Sequence, residues 1–134
     1  MTKDIGKKWL KQALHDLEIA ERNIEIEGYD VAAFLAHQAV EKLLKAIFAL
    51  ENKKVPKIHY IDELAEKLNV SGEAMSHILE LTADYTFARY PDVSDVVPYE
   101  QYDKKIAKEK VESAKKIFRL LKNRYTIGEE DDGE

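Results

Sequence analysis

Arg89-Tyr90-Pro91-Asp92 is the stretch of this 134-residue chain best equipped for chemistry. If the helical pattern before it continues through Arg89, that side chain falls beside the angles of Ile78 and Tyr85, which aims a guanidinium at the interior or at a groove next to it. A buried guanidinium requires a carboxylate partner. Asp16 is the candidate, because its helical angle lies between those of Ile5 and Trp9, inside an otherwise apolar stripe. Such a pair either fixes helix register or presents a cation to an anionic ligand, and residue types leave both readings open.

The histidines, His15, His37, His59 and His77, raise metal binding as a second chemistry. Carboxylate-bridged metal sites in helical bundles use Glu-x-x-His on two helices, but Gln12, Phe34, Pro56 and Ala74 stand three residues before the four histidines. His37 and Glu41 are spaced to share a helix face. One such pair without further ligands reads as a structural residue at a core or dimer boundary rather than as a metal site. Phosphate-binding glycine loops and a Gly-x-Ser-x-Gly nucleophile elbow are missing from the sequence. An anion would therefore be held by side chains and helix N-termini.

These residues must be carried by helices. Ile5, Trp9, Ala13, Leu17, Ala20 and Ile24 fall in one arc, which predicts an amphipathic helix started by Asp4 and ended by Gly28. A second helix, about 31–52, is apolar over most of its circumference, leaving Gln38, Glu41, Lys42 and Lys45 as a polar strip. It is the centre of a bundle, or also a subunit interface. Lys53–Ile58 reads as a loop and Tyr60–Leu68 as a short helix. Ser71-Gly72 opens the next helix, with Ala74, Ile78, Leu81, Tyr85 and Ala88 inward and Pro91 closing it. Residues 91–102 form the long connection. The last helix, about 103–125, turns Ile106, Ala107, Val111, Ala114, Ile117, Phe118, Leu121 and Tyr125 to the core. Trp9 and Met75 sit at packing positions. The fold class expected is all-α, an up-down four-helix bundle with one additional short helix.

Composition agrees. Five Gly and three Pro disfavour a turn-rich β-fold, and the absence of Cys removes disulfides, thiolate metal sites and cysteine nucleophiles. The most apolar segment, 31–50, is interrupted by five polar side chains, and the N-terminus lacks a secretory pattern, so a cytoplasmic protein is expected. The net charge of −5 resides entirely in Glu129-Glu130-Asp131-Asp132-Gly133-Glu134, and residues 1–128 sum to zero. Within that neutral body, 59–102 carry −7 and 103–128 carry +6. Residues 1–126 are expected to form one domain and 127–134 a disordered acidic tail. The lysine-rich last helix lacks interleaved aromatics to stack bases and reads first as a solvated face, while the charge polarity of the body leaves nucleotide or RNA contact open.

Trp9, Ala13, Asp16-Leu17, Ala20, the run Tyr29–Ala46, His59-Tyr60-Ile61-Asp62-Glu63-Leu64 and Ala88-Arg89-Tyr90-Pro91-Asp92 together resemble the HEPN (higher eukaryotes and prokaryotes nucleotide-binding) family over nearly the whole chain to Tyr125. The resemblance implies an all-α bundle of about five helices, often a homodimer. It also implies a minimal nucleotidyltransferase partner, commonly in a toxin–antitoxin pair. Toxin members are metal-independent ribonucleases using Arg followed four to six residues later by His. Here no His occurs beyond His77, so only Arg89 matches that motif and no catalytic residue is assigned. The expected site is a nucleotide-binding groove in which Arg89 contacts phosphate, Asp16 orients Arg89, and His59 and Tyr90 line the walls. No metal and no cofactor beyond a nucleotide ligand are expected. The alternatives are a ribonuclease toxin using an unrecognised base, and a non-catalytic dimerising scaffold.

Overall fold

The computed structural model describes residues 2–89 and 97–126, with side chains at 3–82, 97 and 99–126. It is built from α1 (Thr2–Glu25), α2 (Tyr29–Leu50), α3 (Ile61–Lys67), α4 (Gly72–Arg89), a 3-10 turn (Pro98–Gln101), α5 (Lys104–Leu120) and α6 (Lys122–Tyr125), and no strand occurs among the described residues. The all-α expectation holds.

α2 is the axis. Its apolar circumference packs against α1, α3, α4, α5 and α6, and fourteen of its residues are buried. The breadth of that face is thus satisfied within one chain. Leu43, Leu44, Ile47, Ile61, Leu64, Ile78, Leu81 and Ile117 are fully enclosed around it. α1 lies antiparallel along α2 through small residues, with Ala13 and Ala20 fully buried. Gly6 belongs to the same stripe, since a Cβ there would stand 2.7 Å from Leu50 Cγ and 3.2 Å from Leu50 N. The stripe is centred slightly off the one read from the sequence: Leu10 is buried, whereas Ile5 is 46% exposed.

Three helices end in the same way, and the mechanism differs from the glycine stop expected at Gly28. Glu27, Asn52 and Asn69 take positive φ of 63°, 63° and 61°. The N–H groups of the residues that follow, Gly28, Lys53 and Val70, donate to Asn23 O, Phe48 O and Ala65 O at 2.7, 2.8 and 3.0 Å, closing the last turns. Gly28 itself has φ −85° and precedes α2. Asp4 lies inside α1 rather than capping it. Asp103 does cap α5, accepting from Ile106 N–H at 2.8 Å. The last helix is interrupted at Leu121, which separates α5 from α6.

The end of α2, the end of α3 and α6 meet at one end of the bundle. Arg124 donates to both Glu51 oxygens, at 2.7 and 2.8 Å, and to Leu68 O at 2.8 Å. α4 sets out from this end, and its 18 residues, about 27 Å of helix, carry Arg89 away from it. The α4–α5 seam is tied at Glu80, whose carboxylate accepts from Ser113 Oγ at 2.9 Å and whose carbonyl accepts from Lys110 Nζ at 2.8 Å. Lys115 of α5 pairs with Glu21 of α1, and that bond keeps the Lys115 ammonium protonated above its ordinary range. Part of the positive charge of α5 is therefore engaged by a carboxylate of α1 at the surface. No helix is long and apolar enough to cross a membrane among the described residues.

Candidate functional site

The polar residues of α2 do not form a solvated strip. No α2 residue beyond Val31 is exposed, and Glu41 and Lys45 are buried at 4% and 5% exposure. The helical repeat sorts them into two seams. Lys42 faces α1, and its Nζ donates to Asp16 Oδ2 at 2.5 Å while Gln12 Nε2 donates to Asp16 Oδ1 at 2.8 Å. Both oxygens of this buried carboxylate are satisfied, with Lys42 as the cation the structure sets on Asp16.

His37, Glu41 and Lys45 recur at intervals of four and form the second seam. Glu41 Oε2 accepts from Lys45 Nζ at 3.0 Å and is 3.0 Å from His59 Nδ1. The Lys45 ammonium also lies 5.5 Å from the centre of the Trp9 ring, so α1 contributes an aromatic face to its enclosure. Glu41 Oε1 and Asp62 Oδ1 are buried without a hydrogen bond among the described residues. His37 is fully enclosed, and its pKa is lowered to about 4. Burial is the main cause, since a charged imidazole there would lose its hydration. Glu41 and Asp62 oppose that shift and His59 adds to it.

His59 is delivered by the loop between α2 and α3, and its side chain is 57% exposed while its Nδ1 rests on buried Glu41. This makes it the mouth of the seam. A carboxylate that fixes one ring nitrogen sets the tautomer of the imidazole, the arrangement used for both proton transfer and oriented hydrogen bonding. Among the described residues no group of three or more His, Asp or Glu is arranged to hold a metal.

Of the residues expected from the sequence, Asp16 and His59 approach α2 through its adjacent residues Lys42 and Glu41. Arg89 is the last residue of α4. The Arg89 side chain, Tyr90 and the Asp16–Arg89 pairing lie outside the described residues. Lys42, Glu41 and Lys45 are the partners that sequence reading missed. The available signal was Asp16 itself, a carboxylate within an apolar stripe that had to meet a cation.

A small all-α domain, built on one enclosed central helix and holding a buried polar seam that opens at a loop histidine, is the class these features define. The model of the HEPN domain family matches residues 7–124, and the chain belongs to the HEPN family. Among solved structures, it is similar to TT1696 from Thermus thermophilus, with 28% identity and a TM-score of 0.80 over 89% of this chain and 97% of that one. It is also similar to ST0689, an archaeal HEPN homologue, with 30% identity and a TM-score of 0.77 over 90% and 97% of the two chains. None of the curated proteins compared with the chain matches it.

Proposed function

We propose that this HEPN protein is a nucleotide-binding module that acts, as a homodimer, beside a minimal nucleotidyltransferase in a toxin–antitoxin type pair. The observation that carries the reading is the buried seam of α2. A small domain gains little stability from burying Asp16, Glu41 and Lys45, because their desolvation offsets most of the attraction to their partners. Ionisable groups held at such a cost concentrate where ligands are bound. In this reading Arg89 contacts phosphate, and His59 and Tyr90 line the groove. Asp16, held by Lys42, supports it from α1.

Calorimetry with ATP and GTP on the wild type and on Arg89→Ala is the test, for the chain alone and with the nucleotidyltransferase. Loss of a charge-assisted phosphate contact weakens binding by about 2 kcal/mol, roughly thirtyfold. A wild type that binds neither nucleotide in either form overturns the nucleotide part, and a monomer in sedimentation at micromolar concentration overturns the dimer. The His59–Glu41 contact favours one second reading, a ribonuclease with His59 as its proton-transfer group. RNA cleavage abolished by His59→Ala would support it.

A further inference from the structure

The loop after α2 and the end of α3 enclose a cleft of about 490 Å³ lined by Lys54, Val55, Pro56, Lys57, Ile58 and Lys67. Its composition is unusual for this molecule, with apolar walls from three residues and a rim of three exposed lysines. The neighbouring Glu51 is engaged by Arg124 and Lys53. Lys54, Lys57 and Lys67 have no carboxylate partner among the described residues. The cleft therefore presents three uncompensated positive charges around an apolar floor.

We infer that the C-terminal segment of this same chain, residues 127–134, docks in the cleft, with Ile127 on the apolar walls and the acidic run on the lysine rim. Position supports this. Arg124 is fastened to Glu51 and to Leu68 O, and these two residues lie three residues before Lys54 and one residue after Lys67. The described chain thus stops at Thr126 beside the cleft. Eight further residues reach about 26 Å when extended, more than enough to cross it. Charge complementarity supports it too, because Glu129, Glu130, Asp131, Asp132 and Glu134 carry the chain's entire −5 while the cleft carries an unpaired +3. A single exposed lysine–carboxylate pair is weak in water. Here the tether raises the local concentration of the tail to the millimolar range, so several weak pairs act together. The contact is electrostatic in its selectivity and is weakened by salt. A docked tail also occupies this cleft against any other anion.

The chain contains no Cys, so Gly133→Cys provides one site for a nitroxide label on the otherwise intact protein. In low salt, the amide signals of Val55, Lys57, Ile58 and Lys67 are expected to lose most of their intensity. Roughly 0.5 M NaCl should restore them. The combined Lys54→Gln, Lys57→Gln, Lys67→Gln protein, checked for helix content by circular dichroism, should retain its signals at both salt concentrations. Since its substitutions are exposed, a second protein with the five tail acids changed to amides tests the same contact from the other side. Its cleft amides should match those of the wild type in high salt. Broadening confined to residues next to the label in sequence, broadening centred on the α5 lysines, or broadening unaffected by salt would each overturn the docking.

Discussion

Mild acid should destabilise this protein through one buried side chain. His37 is fully enclosed and holds its proton only below a pH of about 4, whereas in the unfolded chain it titrates near its ordinary 6.5. Between these values the unfolded state binds more protons than the folded state, so stability falls as the pH falls. The contribution is fully present above 6.5, is lost progressively down to 4, and changes no further below that. A difference of 2.5 pH units corresponds to a total of about 3 kcal/mol, of which about 2 kcal/mol is lost between pH 7.5 and 5.0. For a domain of this size that is a large share of the stability. Urea unfolding followed by the fluorescence of Trp9, the sole tryptophan, measures it directly. His37→Gln removes the titration. Any packing difference it introduces acts alike at both pH values, so the loss of stability between them should shrink by about 2 kcal/mol. The other three histidines, His15, His59 and His77, are unchanged between the two proteins. Equal losses in wild type and His37→Gln would refute the assignment of the acid sensitivity to His37.

Two further substitutions test how the helices are fastened. Arg124→Ala removes two bonds to Glu51 and one to Leu68 O, and should lower stability by about 2 kcal/mol in urea titration. The Arg124 hydrogen bond holds Glu51 below its ordinary 4.5, so this contribution is present above that pH and lost as the pH falls beneath it. Arg124→Lys should recover little, because an ammonium cannot span both carboxylate oxygens. Gly6→Ala should also destabilise, by about 1 kcal/mol, although alanine is the better helix former, since its Cβ would stand 2.7 Å from Leu50 Cγ. Pairing it with Leu50→Ala should cost less than the sum of the two single changes.

The helices were legible because their patterns were long and periodic. Ala74, Ile78 and Leu81 of α4, and Ala107, Val111, Ala114, Ile117, Phe118 and Leu121 around α5, are buried as their spacing requires. The helix ends were read less well. Asn at 52 and 69 tolerates the left-handed conformation, but Glu27 carries no such sequence signal, and the adjacent Gly28 drew the stop one residue too far. The start of α1 was missed for a related reason. An Asp near a helix start is both a good cap and a good first-turn residue, and only the backbone distinguishes the two.

The site was legible as a demand rather than as a solution. An aspartate within the apolar stripe of α1 had to find a cation, and Asp16 is indeed buried at 6% exposure. Which cation depends on how α1 and α2 face each other, and Gly6, Ala13 and Ala20 bring them close enough for Lys42 to reach Asp16 from the neighbouring helix. The same close approach takes the polar strip of α2 out of solvent. Periodicity gives the angle at which Glu41 and Lys45 project, but not whether solvent lies at that angle. The loop carrying His59 and the Trp9 ring cover that side, and with Lys42 on the other flank α2 has no solvent face beyond Val31. Burial then changes the role of these charges. On a surface, Glu41 and Lys45 would be a minor helix-stabilising pair. Enclosed, they fix the position of His59, and through the field of Glu41 and that of Asp62 the seam reaches His37 at the core. A change at Glu41 would therefore be felt both at the mouth of the seam and in the acid stability of the fold.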